Sequence, residues 1–243
     1  MRTRIRIRGL LAGLGLFLAT LSPGCGLTGI SRSQEISLGQ QTAAEIERQY
    51  RTYENPTVTR IGQRLAAVSG APDYPYRFRV IEMSEVNAFA LPGGPVYVTT
   101  GLLQFAQGRE EFLAAVLAHE IAHVARRHTA EQIQRQSWLG LGIEILTGGG
   151  TTRDIAILAA NLESLGFSRN QERDADTYGA VYLVRAGIDP SVMVEFLRRL
   201  GAETGNGGIA FLRTHPTSEN RVSRLQQQIA SGEIQRLAQQ TSR

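Results

Sequence analysis

The feature that most constrains this chain is a pair of histidines four residues apart inside a strongly apolar helical pattern. His119 and His123 flank Glu120 in the sequence HEIAH, and mainly alanine, leucine, valine and isoleucine fill the neighbouring positions. Residues four apart on a helix lie one above the other, about 6 Å apart, so both imidazoles can reach one cation. Because two imidazoles and a carboxylate are costly to bury without a ligand, the pattern predicts a metal site with Glu120 as general base.

The choice of a third protein ligand is narrow, because the chain has only four histidines. A metzincin site needs a histidine six residues after His123, and this chain has Thr129 there, which excludes that class. A thermolysin-like site takes a glutamate from a later helix, and Glu172 begins such a helical run. We therefore predict Glu172 as the third ligand, with His128 and His215 as the alternatives.

Two side chains near these ligands receive supporting roles. Asp176 lies four residues after Glu172 and therefore on the same face of the predicted helix. A carboxylate in that place can accept the distal N–H of a ligating histidine and so orient its ring. His128 follows His123 by five residues, near the helix end, and we expect it to point away from the metal and to interact with the helix dipole.

Four motifs in order along the chain resemble a known family. The segments NAFALPGG with VYVTTGLL, HEIAHV, SRNQERDAD and THPTSENR are similar to those of the zinc endopeptidase family that includes CAAX prenyl proteases and HtpX-like membrane proteases. The chain most resembles the soluble, periplasmic lipoprotein branch, over roughly residues 34–229. The resemblance implies a zincin-like fold and one zinc ion per chain, held by His119, His123 and Glu172, with Glu120 as the catalytic base.

The resemblance also implies roles for two residues in the last motif. The family's His-Pro motif, here His215 and Pro216, is expected on a loop over the metal. The imidazole there either occupies the open coordination position or stabilises the oxyanion, and the sequence leaves both alternatives open. Arg221, five residues after Pro216, matches the family's arginine and is expected to assist catalysis.

Helical patterns fill most of the remaining chain. Apolar residues recur at helical spacing in the residue ranges 35–53, 56–70, 110–124, 154–165, 169–186, 190–201 and 216–229. Extended patterns that are typical of strands occur at residues 77–82, 87–91 and 96–100. These patterns predict an α+β, mostly helical fold, with a small antiparallel sheet of about three strands beside the active-site helix. We expect the stretch from Asn87 to Leu91 to bind an extended substrate through main-chain hydrogen bonds.

The N-terminal segment has the layout of a secretory signal. Arginines precede an apolar run, Gly9 to Leu21, which is shorter than the roughly 20 residues that a membrane helix needs. The run is followed by Cys25, the only cysteine, as in a bacterial lipoprotein signal, although Ser22 stands where such signals usually carry leucine. An ordinary signal peptide is the alternative. The predicted organisation is a signal peptide at 1–24, a lipidated Cys25 with its tether at 25–34, a metallopeptidase domain at 35–232 and a C-terminal tail at 233–243.

The distribution of charge argues against a nucleic-acid partner. Of the 26 basic residues, four lie in the signal segment, and the remaining 22 equal the 22 acidic residues in number. No basic surface is therefore needed to explain the net charge of +4. We expect unfolded or misassembled envelope proteins as partners, and contact with the membrane through Cys25. An oligomer is compatible with the sequence.

Together these features predict a zinc-dependent metalloendopeptidase that hydrolyses peptide bonds of cell-envelope proteins in protein quality control. Its predicted location is the periplasmic side of the bacterial outer membrane, through a lipid anchor, or the soluble periplasm if Cys25 is not lipidated. The alternative function is that of a periplasmic chaperone or assembly factor for outer-membrane proteins, with a latent or vestigial zinc site. A retained Glu120 argues against that alternative, because a structural zinc site needs no base.

Overall fold

A computed structural model of the chain describes residues 30–137, 155–156, 166–203, 209–216 and 219–240. The predicted signal peptide and Cys25 lie outside the described residues, as does most of the helix predicted at 154–165. No helix among the described residues is both long and apolar enough to cross a membrane.

The chain forms a mostly helical structure with one small sheet, which confirms the predicted α+β fold class. The strands are β1 (Thr52–Tyr53), β2 (Arg77–Ile81), β3 (Ala88–Ala90) and β4 (Pro95–Thr99). The helices before the middle of the chain are α1 (Arg32–Gln49), α2 (Pro56–Ala67), α3 (Thr100–Ala106), α4 (Glu110–Ala125) and α5 (His128–Ser137). The later helices are α6 (Arg169–Arg185), α7 (Ser191–Ala202), α8 (Ala210–Thr214), α9 (Glu219–Ala230) and α10 (Glu233–Gln239).

The sheet has four strands in the order β1-β2-β4-β3, so β3 lies at one edge. The outer pairs are antiparallel, but β2 and β4 run parallel, with Phe78 opposite Val96. The prediction of an antiparallel sheet of about three strands is therefore wrong in two respects, because the sheet has four strands and its central pair is parallel. The central pair is parallel because the chain passes from β2 to the edge, forms β3 there and returns as β4 between the two. With only two residues, β1 is too short to show an alternating pattern in the sequence.

Helix α4 is the centre of the fold. Every residue from Phe112 to Val124 is buried, and the helix packs against α2, α6, α7 and β3. The close approach of α6 requires Gly179, because a Cβ at that position would lie 3.2 Å from the backbone of Ala118. Since Ala118 directly precedes His119, this contact brings the helix with the two histidines close to the helix with Glu172.

The start of α6 is fixed by a capping box. The Ser168 side chain accepts a hydrogen bond from the Gln171 backbone, and the Gln171 side chain accepts one from the Ser168 backbone. Such a cap satisfies backbone donors that the first turn of a helix leaves without partners. Glu172 therefore has a defined place in the first turn of α6.

Helix α10 lies within the segment that the sequence assigns to a C-terminal tail. It packs against α6 and α9, and its Ile234 is completely buried. The ordered part of the domain thus continues to this helix.

Candidate metal centre

Four buried side chains meet between α4, α6 and the end of α8. They are His119, His123, Glu172 and His215, and one donor atom of each lies within 4.8 Å of the others. The first two histidines come from successive turns of α4, the glutamate from the first turn of α6, and His215 directly follows α8. Each of the four is at most 3% exposed. The structure therefore brings the three predicted ligands together and adds His215 to them.

The distances between these donor atoms are short enough for one metal ion to contact all four residues. His119 Nε2 lies 3.0 Å from His123 Nε2, 3.5 Å from Glu172 Oε2 and 3.3 Å from His215 Nδ1. Glu172 Oε1 lies 3.4 Å from His123 Nε2 and 2.8 Å from His215 Nδ1. Ligands at about 2.0–2.1 Å from zinc in tetrahedral geometry would be separated by about 3.3–3.4 Å. The nitrogen and carboxylate donors are of the kind that zinc binds, and His215 would supply a fourth donor beside the three predicted ligands.

Glu120 lies beside the donors as a buried carboxylate. Neither of its oxygens has a hydrogen bond of normal geometry among the described residues, although Oε1 is 3.4 Å from His215 Nε2 and the backbone of Ala90 lies close enough to lower the pKa of this carboxyl. Burial raises the pKa of Glu120 above its ordinary value. Because an isolated buried carboxylate is costly, its presence next to zinc-type donors fits a group that receives a proton from water during a reaction.

Asp176 contacts the distal nitrogen of His119, as the sequence predicts. Its Oδ1 lies 3.2 Å from His119 Nδ1, and Arg221 donates to both of its oxygens at 2.8 and 2.7 Å. Burial lowers the pKa of His119, but the nearby carboxylates of Asp176 and Glu172 outweigh burial and raise it to about 9. Since Nδ1 is held by Asp176, Nε2 is directed towards the other donors.

Arg221 lies behind the donor atoms and links three parts of the site. In addition to its contacts with Asp176, its Nη1 lies 2.6 Å from Glu172 Oε2 and donates to the carbonyl oxygen of Pro216 at 2.9 Å. The sequence predicts that Arg221 assists catalysis. In this arrangement its guanidinium contacts two carboxylates and a backbone carbonyl, and these contacts can hold Glu172 and the segment that carries His215 in place. Its part in catalysis stays a prediction.

Two phenylalanines pack against the imidazoles and were not identified from the sequence. Phe167 stacks on His123 with ring centroids 3.8 Å apart, and Phe211 stacks on His215 at 4.5 Å. Flat contacts of this kind restrict the planes of both histidine rings. The position of Phe167 directly before the SRNQERDAD motif is the only sequence signal that could have identified it.

His128 is not among the four donors, but it is buried against His123, a contact that was not predicted from the sequence. It is 5% exposed, and its Nδ1 lies 3.1 Å from Nδ1 of His123. The cause is a sharp turn after α4, where Arg127 adopts a left-handed backbone conformation with φ of 60°. This turn places His128, the first residue of α5, behind His123.

The edge strand β3 runs beside α4, and the N–H and C=O groups of successive residues point alternately towards β4 and away from it. Asn87 accepts a hydrogen bond from Thr99 of β4, and Leu91 donates one to Pro95. Pairs bonded in this way alternate with unbonded pairs in an antiparallel ladder, so the N–H and C=O groups of Ala88 and Ala90 face away from β4. Both residues are buried, and the carbonyl oxygen of Ala90 accepts a hydrogen bond of 3.5 Å from Thr129 of α5, so within the described residues only the main-chain groups of Ala88 face away from β4 without a side-chain partner.

Comparison with known proteins identifies relatives of this chain. The sequence profile of peptidase family M48 matches residues 52–229, a range that contains all four donors. The mitochondrial metalloendopeptidase OMA1 of Schizosaccharomyces pombe is 35% identical over 74% of this chain and 54% of that protein. The beta-barrel assembly-enhancing proteases of Yersinia pestis and Escherichia coli are each 30% identical, over 89% and 80% of this chain and 48% and 43% of their own lengths. The chain thus spans about half the length of the curated relatives it matches.

Proposed function

We propose, from the premise that this chain belongs to peptidase family M48, that it is a zinc-dependent metalloendopeptidase acting on proteins of the bacterial cell envelope. The observation that carries the proposal is the set of four buried donors within 4.8 Å of one another, beside the carboxylate of Glu120. Two histidines and a glutamate are the protein ligands of a known class of catalytic zinc site. One zinc ion per chain would be held by His119, His123 and Glu172.

The chain's own residues divide the reaction between them. Zinc held by the three ligands would supply a Lewis acid that lowers the pKa of water to about 7 and polarises the substrate carbonyl. Glu120 would take the proton from the attacking water and return it to the leaving nitrogen. Its raised pKa suits this exchange, since a general base works best when its pKa lies closer to the operating pH.

The position of His215 supports a resting state in which the site is closed. Catalytic zinc sites keep one coordination position for water, whereas structural sites use four protein ligands. His215 Nδ1 lies at that fourth position, and its Nε2 is directed to within 3.4 Å of Glu120 Oε1. We call this the closed arrangement. With zinc bound, the imidazole would compete with water at the metal, and its Nε2 lies beside the general base, so catalysis would require the segment from His215 to Pro216 to move.

The edge strand β3 supports an unfolded or extended polypeptide as the substrate. The main-chain groups of Ala88 face away from β4, beside the helix that carries Glu120, whereas the Ala90 carbonyl accepts a hydrogen bond from Thr129 that a substrate strand would have to displace. Addition of a substrate strand uses main-chain hydrogen bonds and therefore depends little on the substrate sequence. A protease for misassembled proteins needs this tolerance, because its substrates share exposed backbone rather than a common motif.

The N-terminal signal and the relatives support a place in the envelope. We infer export by the signal at 1–24 and attachment to the periplasmic side of the outer membrane through Cys25, with a soluble periplasmic protein as the alternative. Two relatives are named for an assembly-enhancing role towards beta-barrels, which favours outer-membrane proteins as substrates. Release of the protein from the membrane fraction in the variant Cys25→Ser would support the anchor, and unchanged membrane association would contradict it.

A second function, that of an assembly factor with a latent zinc site, is favoured by the same position of His215. A four-ligand site without an open position resembles structural zinc sites, and such a protein could bind substrates without cleaving them. The two functions differ in their need for Glu120. Only the peptidase needs a base beside the metal.

The test is the activity of Glu120→Gln against an unfolded protein such as reduced casein. The amide keeps the shape of the side chain but cannot accept the proton, so we expect about 10²–10⁴-fold slower cleavage with zinc still bound. Glu111→Gln is the matched control, because Glu111 lies exposed in the first turn of the same helix. Wild-type cleavage must also stop when a chelator removes zinc. Cleavage by Glu120→Gln at the wild-type rate, or none by any form of the protein, would refute the peptidase.

A further inference from the structure

A chain of polar side chains leads away from His123 on the side opposite the other donors. His123 is completely buried, and its Nδ1 lies 3.1 Å from Nδ1 of His128. His128 Nε2 in turn lies 3.2 Å from Asp174 Oδ2, which also accepts a hydrogen bond of 2.6 Å from Arg126 Nε. The catalytic steps described above do not use any of these three residues.

A metal at His123 Nε2 would determine the direction of each hydrogen bond in this series of polar side chains. The ligating nitrogen must offer its lone pair, so a neutral His123 carries its proton on Nδ1 and donates it. His128 must then accept with Nδ1, which leaves its own proton on Nε2, opposite Asp174. A carboxylate is an acceptor, and Arg126 Nε is a donor, so each proton is donated once, Asp174 Oδ2 accepts two hydrogen bonds, and no two donors face each other.

The backbone around His128 is arranged to keep it in this place. Helix α4 ends at Ala125, and Arg127 adopts a left-handed conformation that residues other than glycine seldom take. The Arg127 side chain donates to Glu35 of α1 at 2.9 Å. The guanidinium of Arg126 lies over the ring of Tyr178, 4.4 Å from its centroid. Both arginines of the turn are thus fixed to other helices, and the turn brings His128 back against His123.

We propose that His128, held by Asp174, is a positioning residue that fixes the tautomer and ring orientation of His123 as a metal ligand. The inference rests on the proposed function, because it requires a metal bound by the donors of α4. It gives His123 a counterpart to the contact between Asp176 and His119. Each ligating histidine of α4 then has its own acceptor, a carboxylate for one and an imidazole for the other.

Two other roles for His128 lead to different expectations. It cannot be an additional ligand of the same metal, because it faces Nδ1 of His123, the nitrogen opposite the one among the donors. If His128 only fills space, a ring of similar volume without an acceptor should replace it without consequence for the metal. Phenylalanine is such a ring. Asparagine, in contrast, is smaller but places its Oδ1 near the position of the histidine Nδ1.

The experiment compares His128→Phe and His128→Asn with the wild-type chain in two measurements. Zinc affinity is measured by competition with a chromophoric chelator, and the visible absorption spectrum of the cobalt-loaded protein reports the ligand geometry. Thr177→Val is the matched control, since it removes a buried hydroxyl of α6 that bonds to Arg173 and Gln228 and not to the donors. The unfolding midpoint of each metal-free protein separates loss of ligand orientation from loss of the fold.

We expect His128→Phe to bind zinc about 10–100-fold more weakly than wild type, which is the usual effect of losing a partner behind a metal ligand. The cobalt spectrum should change in this variant and return towards that of wild type in His128→Asn, which should recover most of the affinity. Thr177→Val should match wild type in both measurements. Unfolding midpoints of the metal-free variants should stay close together.

Wild-type affinity in His128→Phe, or an equal loss in His128→Asn and His128→Phe, would overturn the inference while leaving the metal site intact. If His128→Phe does not fold, Asp174→Ala takes its place. That variant keeps His128 but removes the acceptor that fixes its tautomer, so a weaker affinity is expected and an unchanged one would overturn the proposal. A wild-type chain that bound no zinc would instead overturn the proposed function, and this inference with it.

Discussion

Replacing His215 by alanine should activate the enzyme rather than inactivate it. In the closed arrangement the imidazole lies at the fourth donor position and contacts Glu120. The variant His215→Ala removes this competitor and leaves His119, His123 and Glu172 in place. Water and substrate can then reach the metal without movement of the segment around Pro216. Basal proteolysis of an unfolded protein should therefore rise.

The size of the increase follows from the contacts that hold the imidazole. The 2.8 Å between His215 Nδ1 and Glu172 Oε1 allows a hydrogen bond when no metal is bound, whereas with zinc bound the same nitrogen would offer its lone pair to the metal instead. We take the strength of a hydrogen bond to a charged group, about 1.5–3 kcal/mol, as a lower bound for the contact that holds the imidazole. Because about 1.4 kcal/mol changes a population ratio tenfold, the closed arrangement is favoured about 10- to 100-fold. Only about 1–10% of molecules would be open at rest, so basal activity should rise by about 10- to 100-fold. A bond from His215 to zinc would increase this factor.

The assay is the initial rate of casein cleavage at saturating zinc, with wild type and His215→Ala compared at equal concentration. Adding Glu120→Gln to His215→Ala should abolish the gain, which assigns it to this site rather than to a contaminating protease. A rate about 10²–10³-fold below wild type would refute the reasoning, since that is the loss expected when an oxyanion donor is removed. An unchanged rate would show that His215 does not close the site.

Three further substitutions test the ligand set and the helix contact beneath it. Glu172→Ala should lose zinc, because it removes one of three protein ligands. Stoichiometric zinc in this variant, measured by elemental analysis, would show that another residue is the third ligand. Asp176→Asn should keep zinc but bind it about 10–100-fold more weakly in a chelator competition, and wild-type affinity would contradict its orienting role at His119. Gly179→Ala should lower the free energy of unfolding by about 1–3 kcal/mol in a urea titration, because the new methyl group meets the backbone of Ala118. An unchanged free energy of unfolding would show that α6 can move away at no cost.

The sequence predicts those parts of the site that depend on local geometry. His119 and His123 share one helix face, and Asp176 follows Glu172 by one turn, so their relative positions follow from helix geometry alone. The packing of α4 against α6 does not follow from the geometry of either helix. It depends on the close approach at Gly179, and no periodicity in either helix encodes which partner its face will meet.

His128 shows why a local rule can fail beside a correct one. A histidine near the end of a helix usually interacts with the dipole, and the sequence offers no signal against that interpretation. The actual position depends on the left-handed conformation of Arg127. Arginine has no preference for that conformation, so the turn follows from tertiary contacts such as the one with Glu35. The parallel pairing of β2 and β4 was missed for a similar reason, since strand order depends on long-range contacts.

His119 and His123, the two histidines proposed as metal ligands, differ in the charge of their surroundings. His119 contacts Asp176 and Glu172, and these carboxylates raise its pKa to about 9 against the effect of burial. His123 is dominated by burial, which lowers its pKa well below the ordinary value. Its acceptor on the distal side is the imidazole of His128, which is neutral when it accepts with Nδ1. The fold therefore orients His123 without adding another carboxylate in direct contact with it.

This difference is consistent with a charge balance set for a divalent cation. The buried carboxylates of Glu120, Glu172 and Asp176 contribute three negative charges, and the guanidinium of Arg221 contributes one positive charge. The two negative charges that remain would be costly to bury. One zinc ion neutralises both, and protonation of His119 neutralises only one. A fourth buried carboxylate, in the place of His128, would add a negative charge that one zinc ion does not neutralise. A neutral imidazole can accept the hydrogen bond from His123 without adding that charge.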